Sequence, residues 1–291
     1  MRLWGLFLVA CLPFSFAEGK RPKYFIAIKK NEGDVLNTLD TYTPFLPPKD
    51  KFYADPFLFK YKGINYIFFE DFDYEKGVIS YVTLDQDGTI SKPQLALELP
   101  THLSFPSLFQ DNDEIYMIPE TYLYKSVSLY KAVDFPNKWE HQRVLIQGAY
   151  FSDPILFKHS GYYWLYTAVR GDRLRIYYAK DLEARFLPHP INRRNIRGRN
   201  AGAIFYVNDR PIRPTMDCSK GYGRSMILKE IVLLTTGNLV EKEIAYIEPT
   251  WAPRLEGTHT YSQNEDYVVY DGQRMIHPHE DESYSSDENE L

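Results

Sequence analysis

Four segments of the chain repeat one pattern of apolar run, polar tip and aromatic run. They read ADPFLFKYKGINYIFFE from Ala54, SFPSLFQDNDEIYMIPE from Ser104, SDPILFKHSGYYWLYTA from Ser152 and, more faintly, NAGAIFYVNDRPIRPTM from Asn200. Aligned on the residue before Pro or Gly, Asp55, Phe105, Asp153 and Ala201 fall in register at spacings of 50, 48 and 48. A weaker fifth copy, EGTHTYSQNEDYVVYD, begins at Glu256. Repeats of about 40 to 50 residues are the period of a four-stranded propeller blade. Five copies predict an all-β fold, a five-bladed β-propeller, with inner strands starting near 55, 105, 153, 201 and 257.

Residue types support that reading. Each copy places a β-rich run (Phe57, Leu58, Phe59; Ile155, Leu156, Phe157) before a polar tip such as Lys62-Gly63 or Ser160-Gly161, and an aromatic run after it. Strand, tight turn, strand is the signature of a hairpin. The Pro of the first three copies is tolerated at the first residue of a strand, where its missing N–H needs no ladder partner. The best candidate for a helix, Ser225 to Leu234, is too short and too β-branched. Aromatic residues make up 16% of the chain, which suits sheets stacked face to face around an axis.

The first 17 residues, MRLWGLFLVACLPFSFA, carry one basic residue, an apolar stretch and a small final residue. They read as a signal peptide cleaved after Ala17, so the chain is expected to be secreted or extracytoplasmic. The apolar run falls short of the ~20 residues of a membrane span, and the mature chain is expected to lack a transmembrane segment. Leu8-Val9-Ala10 before Cys11 leaves a lipidation signal as the rarer alternative. The propeller is expected over 22–275 and an acidic disordered tail over 276–291, where six acids between Glu280 and Leu291 meet no Lys or Arg. That run accounts for the negative charge of the chain, and the neutral body gives no footing for nucleic acid. Once the leader is removed Cys218 stands alone, expected as a buried core residue. No Cys/His spacing supports a zinc site, and no metal or cofactor is expected.

In a blade the start of the inner strand and the end of the next lie on one face. That geometry gathers Asp55, Glu70, Asp71, Glu120, Asp153, Asp217 and Asp271 at one mouth of the channel, with His102 just before the second inner strand. Clustered carboxylates raise one another's pKa, the condition for one of them to act as an acid. An Asp before a strand also commonly caps a turn, so each Asp-Pro acid has a structural reading as well. Arg193, Arg194, Arg197 and Arg199 crowd the loop into the fourth inner strand. They read either as a solvated loop or as an anion site, since guanidinium forks suit carboxylate and phosphate. Tyr53, Phe105, Trp164 and Tyr222 are candidate aromatic faces.

ADPF with YIFFE, HLSFPSLF with IYMIPET, SDPILF with YYWLYT, AGAIF, IRPTMDCSKGYGRSMILKEI and GTHTYS, in this order over about residues 52 to 272, resemble the N-terminal domain of glucosamine inositolphosphorylceramide transferases. That domain is in turn similar to the five-bladed propellers of the arabinanase and β-xylosidase clan of glycoside hydrolases. The resemblance implies Asp55 as general base and Asp153 as the acid that orients and tunes. It also implies a Glu in blade four as general acid, but Ala201 stands there. Glu120 is the best substitute by position, and Glu256, aligned with Asp55 in the fifth copy, is the second. His259 matches a channel-facing His that holds water or a metal in the clan. The full transferases carry a separate catalytic domain.

Two readings follow. In one, the propeller hydrolyses a glycan, with Asp55 activating water, Asp153 positioning and Glu120 or Glu256 donating the proton. In the other it is a non-catalytic module for a glycan or sugar phosphate. There Glu70, His102, Glu256 and His259 bond sugar hydroxyls, while Arg197 and Arg199 take an anionic group. Both expect a carbohydrate partner, with the Arg loop favouring an acidic one.

Overall fold

A computed structural model describes residues 19–33 and 41–277. The leader expected over 1–17 and the acidic run from Glu280 lie outside them. The chain begins with β1 (Arg21–Lys30) and β2 (Thr43–Phe45). Blade one follows as β3 (Phe52–Tyr61), β4 (Ile64–Phe72), β5 (Gly77–Leu84) and β6 (Gln94–Leu97). Blade two comprises β7 (Ser104–Asp111), β8 (Glu114–Glu120), β9 (Ser126–Asp134) and β10 (Lys138–Gln147). Blade three comprises β11 (Phe151–His159), β12 (Tyr162–Val169), β13 (Arg173–Ala179) and β14 (Leu187–Pro188). Blade four comprises β15 (Phe205–Val207), β16 (Arg210–Asp217), β17 (Ser225–Leu234) and β18 (Leu239–Ile247). β19 (Tyr261–Gln263) and β20 (Tyr267–Ile276) open blade five. The strands form five antiparallel four-stranded sheets, a five-bladed β-propeller.

The tips fold as their sequences ask. Lys62-Gly63, Ser160-Gly161 and Asn208-Asp209 all have positive φ, the backbone of a type I′ turn, whose twist matches that of the flanking strands. Ser225 to Leu234 is strand β17, as its β-branched content argues. Aromatic side chains weld blades together. Phe57 and Phe105 meet edge to face at 4.8 Å across blades one and two, and Phe135 of the β9–β10 turn reaches Tyr61 and Tyr66 of blade one.

The repeat does not show how the ring closes. β1 is the third strand of blade five, paired with β20 from Arg21↔Ile276 to Lys30↔Tyr267, and β2 is its outer strand. Ile276, assigned to the tail from sequence, is therefore buried in the last blade.

The Pro residues are also placed differently from expectation. Pro56, Pro106 and Pro154 lie inside their strands, where the register slips between Ala54 and Phe57, Ser104 and Ser107, and Ser152 and Ile155. Each is the bulge residue without a partner, so its missing N–H costs no ladder bond. The residue before it is left-handed: Asp55 at φ 51°, Phe105 at 48° and Asp153 at 48°. For a non-glycine residue ahead of proline this conformation is strained.

Blades four and five lack that device, and their inner strands begin at Phe205 and Tyr261 rather than near 201 and 257. Asn200 pairs with Thr215 and Phe205 with Ile212, so four residues stand against Arg213 and Pro214. Pro214 has no N–H to offer the inner strand. Its carbonyl accepts the Ala201 N–H, and the Ala201 carbonyl turns to Tyr261 of the next blade. Gly202 at φ 129° allows the approach, since a Cβ there would lie 1.8 Å from the Tyr261 carbonyl oxygen.

Candidate functional site

The bulges put Asp55, Phe105 and Asp153 at equivalent positions, with the two Asp side chains at one mouth, and their left-handed backbone turns each N–H toward the neighbouring blade. A carboxylate meets every one of them. The Asp55 amide donates to Asp271 Oδ2 at 3.3 Å, the Phe105 amide to Asp55 Oδ2 at 3.2 Å, and the Asp153 amide to Glu120 Oε2 at 2.7 Å. The acids of the mouth thus latch one blade to the next, which explains why strained residues recur there.

Asp55, Asp271 and His259 form one buried group. Asp271 Oδ1 accepts the His259 and Thr260 amides at 2.8 and 3.0 Å, and Oδ2 lies 2.5 Å from His259 Nδ1. Burial opposes the charge on His259, but Asp271, with Asp55 and Asp153 behind it, outweighs burial and lifts the pKa to about 9. Tyr24 of β1 stacks on the imidazolium at 4.8 Å, a cation–π contact. The other ring nitrogen, Nε2, faces Asp55 Oδ1 at 4.0 Å, and the Thr260 hydroxyl donates to that oxygen at 2.7 Å. Burial raises the Asp55 pKa to about 7, with His259 pulling the other way. The ligand atoms of these three residues lie within 4.8 Å of one another. Asp271 holds Nδ1, and a cation shared by the three would have to displace the second proton of the His259 ring from Nε2.

Across the mouth, Asp153 and Glu120 face Arg199. The guanidinium donates to both oxygens of Asp153, from Nε to Oδ2 and from Nη2 to Oδ1 at 3.1 Å, and Nη2 lies 3.8 Å from Glu120 Oε2. Asn200 Nδ2 donates to the Asp153 carbonyl at 2.7 Å, fixing the same turn. Burial opposes the charge on Arg199, but Asp153, Tyr222 and Glu120 together outweigh it and hold its pKa well above the usual value. Burial and then Asp153 push the Glu120 carboxyl well up. Tyr222 covers the guanidinium at 5.0 Å and meets His259 edge-on at 5.6 Å, bridging the two groups.

Glu70 and His102 make a third contact, His102 Nε2 to Glu70 Oε1 at 3.1 Å. The pair ties the loop before β7 to the end of β4. The Gly77 amide donates to Nδ1 at 2.9 Å, which needs a lone pair there and makes Nε2 the donor to Glu70. Gly77 has to be glycine, since a Cβ would lie 2.7 Å from the ring.

Other candidates fall elsewhere. Asp71 points to the opposite side of β4 from Glu70, as adjacent strand residues must, and holds Lys51 and Ser80. Asp217 turns along its own blade to Tyr246. Glu256 is exposed, because the bulge that aims Asp55 inward has no counterpart in blade five. The Arg loop splits: Arg199 is buried in the site, while Arg193, Arg194 and Arg197 are exposed, with Arg197 on Asp172 at 3.3 Å. Tyr53, Phe105 and Trp164 are core residues. Cys218 is half-buried rather than buried, because it follows the end of β16. Tyr24 was missed, since only ring closure brings the start of the chain to the mouth.

The sequence matches the family described as glucosamine inositolphosphorylceramide transferase 1, N-terminal, over residues 45–253. It is 30% identical over 210 residues to glucosamine inositolphosphorylceramide transferase 1 of Arabidopsis thaliana, covering 67% of this chain and 27% of the relative. Identity to the enzyme of the same name from Oryza sativa subsp. japonica is 33% over 199 residues, 63% of this chain and 27% of the relative. The chain thus spans about a quarter of the length of these relatives. Among solved structures, a family 117 glycoside hydrolase of Zobellia galactanivorans is similar at a TM-score of 0.56 and 14% identity, covering 87% of this chain and 90% of that one. An alpha-L-arabinofuranosidase of Podospora anserina, solved in complex with cellotriose, is similar at a TM-score of 0.57 and 10% identity, covering 76% and 90%. At these identities the likeness is one of fold. The chain belongs to the family of the N-terminal domain of glucosamine inositolphosphorylceramide transferase 1.

Proposed function

We propose that this propeller is a carbohydrate-binding module rather than a glycosidase, exported by its leader and recognising a glycan or sugar phosphate at the mouth. The observation that carries the reading is Arg199, bidentate on Asp153 and close to Glu120. Glycoside hydrolysis needs one carboxyl free to protonate the leaving oxygen and a second to act on the opposite side. Here the position of the expected donor is Ala201, and the nearest substitute, Glu120, is tied to the Asp153 amide beside a permanent cation. In this reading the partly exposed His102 and Tyr222 make the first contacts with a sugar, and the buried acids hold the mouth in shape behind them.

A second reading keeps hydrolysis, and its support is Asp55, whose pKa near 7 lets it exchange a proton at neutral pH. The two are separated by titrating the secreted chain against a panel of oligosaccharides and sugar phosphates and following each binder for released product. Binding without release is the expected result. Release that disappears in Asp55→Asn would convert the assignment to a hydrolase, and a panel with no binder would remove the carbohydrate reading.

A further inference from the structure

On the rim of the same mouth, between blades two and three, the loop after Glu120 and the loop before Phe151 carry an exposed aromatic ledge. Tyr122 and Tyr150 stack at 4.7 Å, and Lys125 Nζ lies 4.7 Å from the centre of the Tyr150 ring. Leu123, Tyr124 and Tyr150 are 57%, 47% and 42% exposed, in a chain whose other mouth aromatics are largely covered. The ledge is fixed in place. The Tyr124 amide bonds the Thr121 carbonyl, the Lys125 amide the Tyr122 carbonyl, and the Gly148 amide the Lys125 carbonyl, which ties the two loops together. Lys125 is left-handed at φ 53°, a conformation that this turn imposes.

We infer that Tyr122, Tyr150 and Lys125 form a saccharide subsite, holding one sugar unit of an oligosaccharide whose neighbouring unit sits in the mouth. The inference rests on the carbohydrate reading above and adds where the chain of sugars runs. A pyranose has an apolar C–H face and a rim of hydroxyls; with Tyr122 stacked on Tyr150 and Lys125 over its ring, Tyr150 meets the sugar with its solvent-facing edge and phenol. Continuity argues for one extended ligand: Tyr122 follows Glu120 by two residues and Tyr150 precedes Asp153 by three. Lys125 contacts a ring rather than a carboxylate and keeps a cation at the ledge, which favours a sugar unit carrying a carboxylate or phosphate.

The test uses the full secreted chain, titrated with a panel of mono-, di- and trisaccharides, each in neutral and in uronic acid or phosphorylated form. Tyr150→Ala is expected to weaken the di- and trisaccharides about ten-fold and to leave monosaccharides unchanged. Lys125→Gln should erase any preference for the acidic forms and leave the neutral ones. Urea unfolding of each variant at the wild-type midpoint certifies the fold. If wild type binds the longer sugars and Tyr150→Ala binds them equally well, the subsite is wrong while the mouth assignment stands. If wild type binds none of the panel, both fall. Loss of binding to phosphatidylcholine–phosphatidylserine vesicles in these variants, with saccharide binding intact, would overturn the subsite in favour of a membrane contact.

Discussion

On the blade five and blade one side of the mouth Asp55 faces an imidazolium, whereas on the blade three and blade four side Asp153 faces a guanidinium. Both acids sit at equivalent left-handed bulge positions, and both are buried. The difference lies in the partner. An imidazolium gives up its proton within an accessible pH range, while arginine stays charged throughout. The cation of one half can therefore be discharged, and the cation of the other cannot. Repetition supplied the same acid twice, and the blade beside each decided what it became.

The fixed half should show the largest response to substitution. Arg199→Met keeps the length of the side chain but leaves Asp153 and Glu120 buried together without a cation. Breaking a buried pair in this way costs about 3–5 kcal/mol. Urea unfolding should show that loss, and adding Asp153→Asn should recover part of it. A loss under about 1 kcal/mol would mean that Arg199 is not the keystone of that side.

The labile half should respond to pH. His259 keeps its proton to about pH 9 in the folded chain, against about 6.5 unfolded, so the folded state binds more protons between these values. Its contribution is full below about 6.5 and is lost as pH rises through 9, on the order of 3 kcal/mol. Asp55, raised to about 7, acts with the same sign at lower pH, between about 4 and 7. The melting temperature should therefore fall from pH 6 to pH 9, and His259→Gln should flatten the upper part of that curve. A wild-type curve that rises over this range would contradict the ion pair with Asp271.

Asp55→Asn tests the latch itself. The amide keeps one acceptor for the Phe105 amide or the Thr260 hydroxyl and loses the other, worth about 1–2 kcal/mol of stability. Any glycan release should fall ~10² to 10⁴-fold in the same variant. Unchanged turnover would take Asp55 out of the chemistry. The smallest effect belongs to Arg197→Ala, whose exposed pair with Asp172 is worth about 0–1 kcal/mol. Arg197 and Arg199, two residues apart, should thus differ severalfold in measured cost.

The blade count, the hairpins and the acids at 55, 120 and 153 were legible because a repeat shows its period in the chain itself. The Pro residues pointed to the right segments but suggested strand starts. Only pairing shows that they fill bulges, since a bulge is defined by what stands opposite it. Glu256 aligned by sequence and failed in space for the same reason. The crowd of arginines looked like one site, yet strand geometry buries Arg199 and leaves Arg197 in solvent.

The sequence by itself determined the architecture, because alternation and turn chemistry act over a few residues and repeat five times. Tertiary structure decided the charges. Tyr24 reaches His259 only when β1 closes the ring, and Arg199 meets Glu120 only when blades two, three and four converge. Burial and the nearest opposite charge set the state of an ionisable group, and both are properties of distance in space, which the order of residues does not carry.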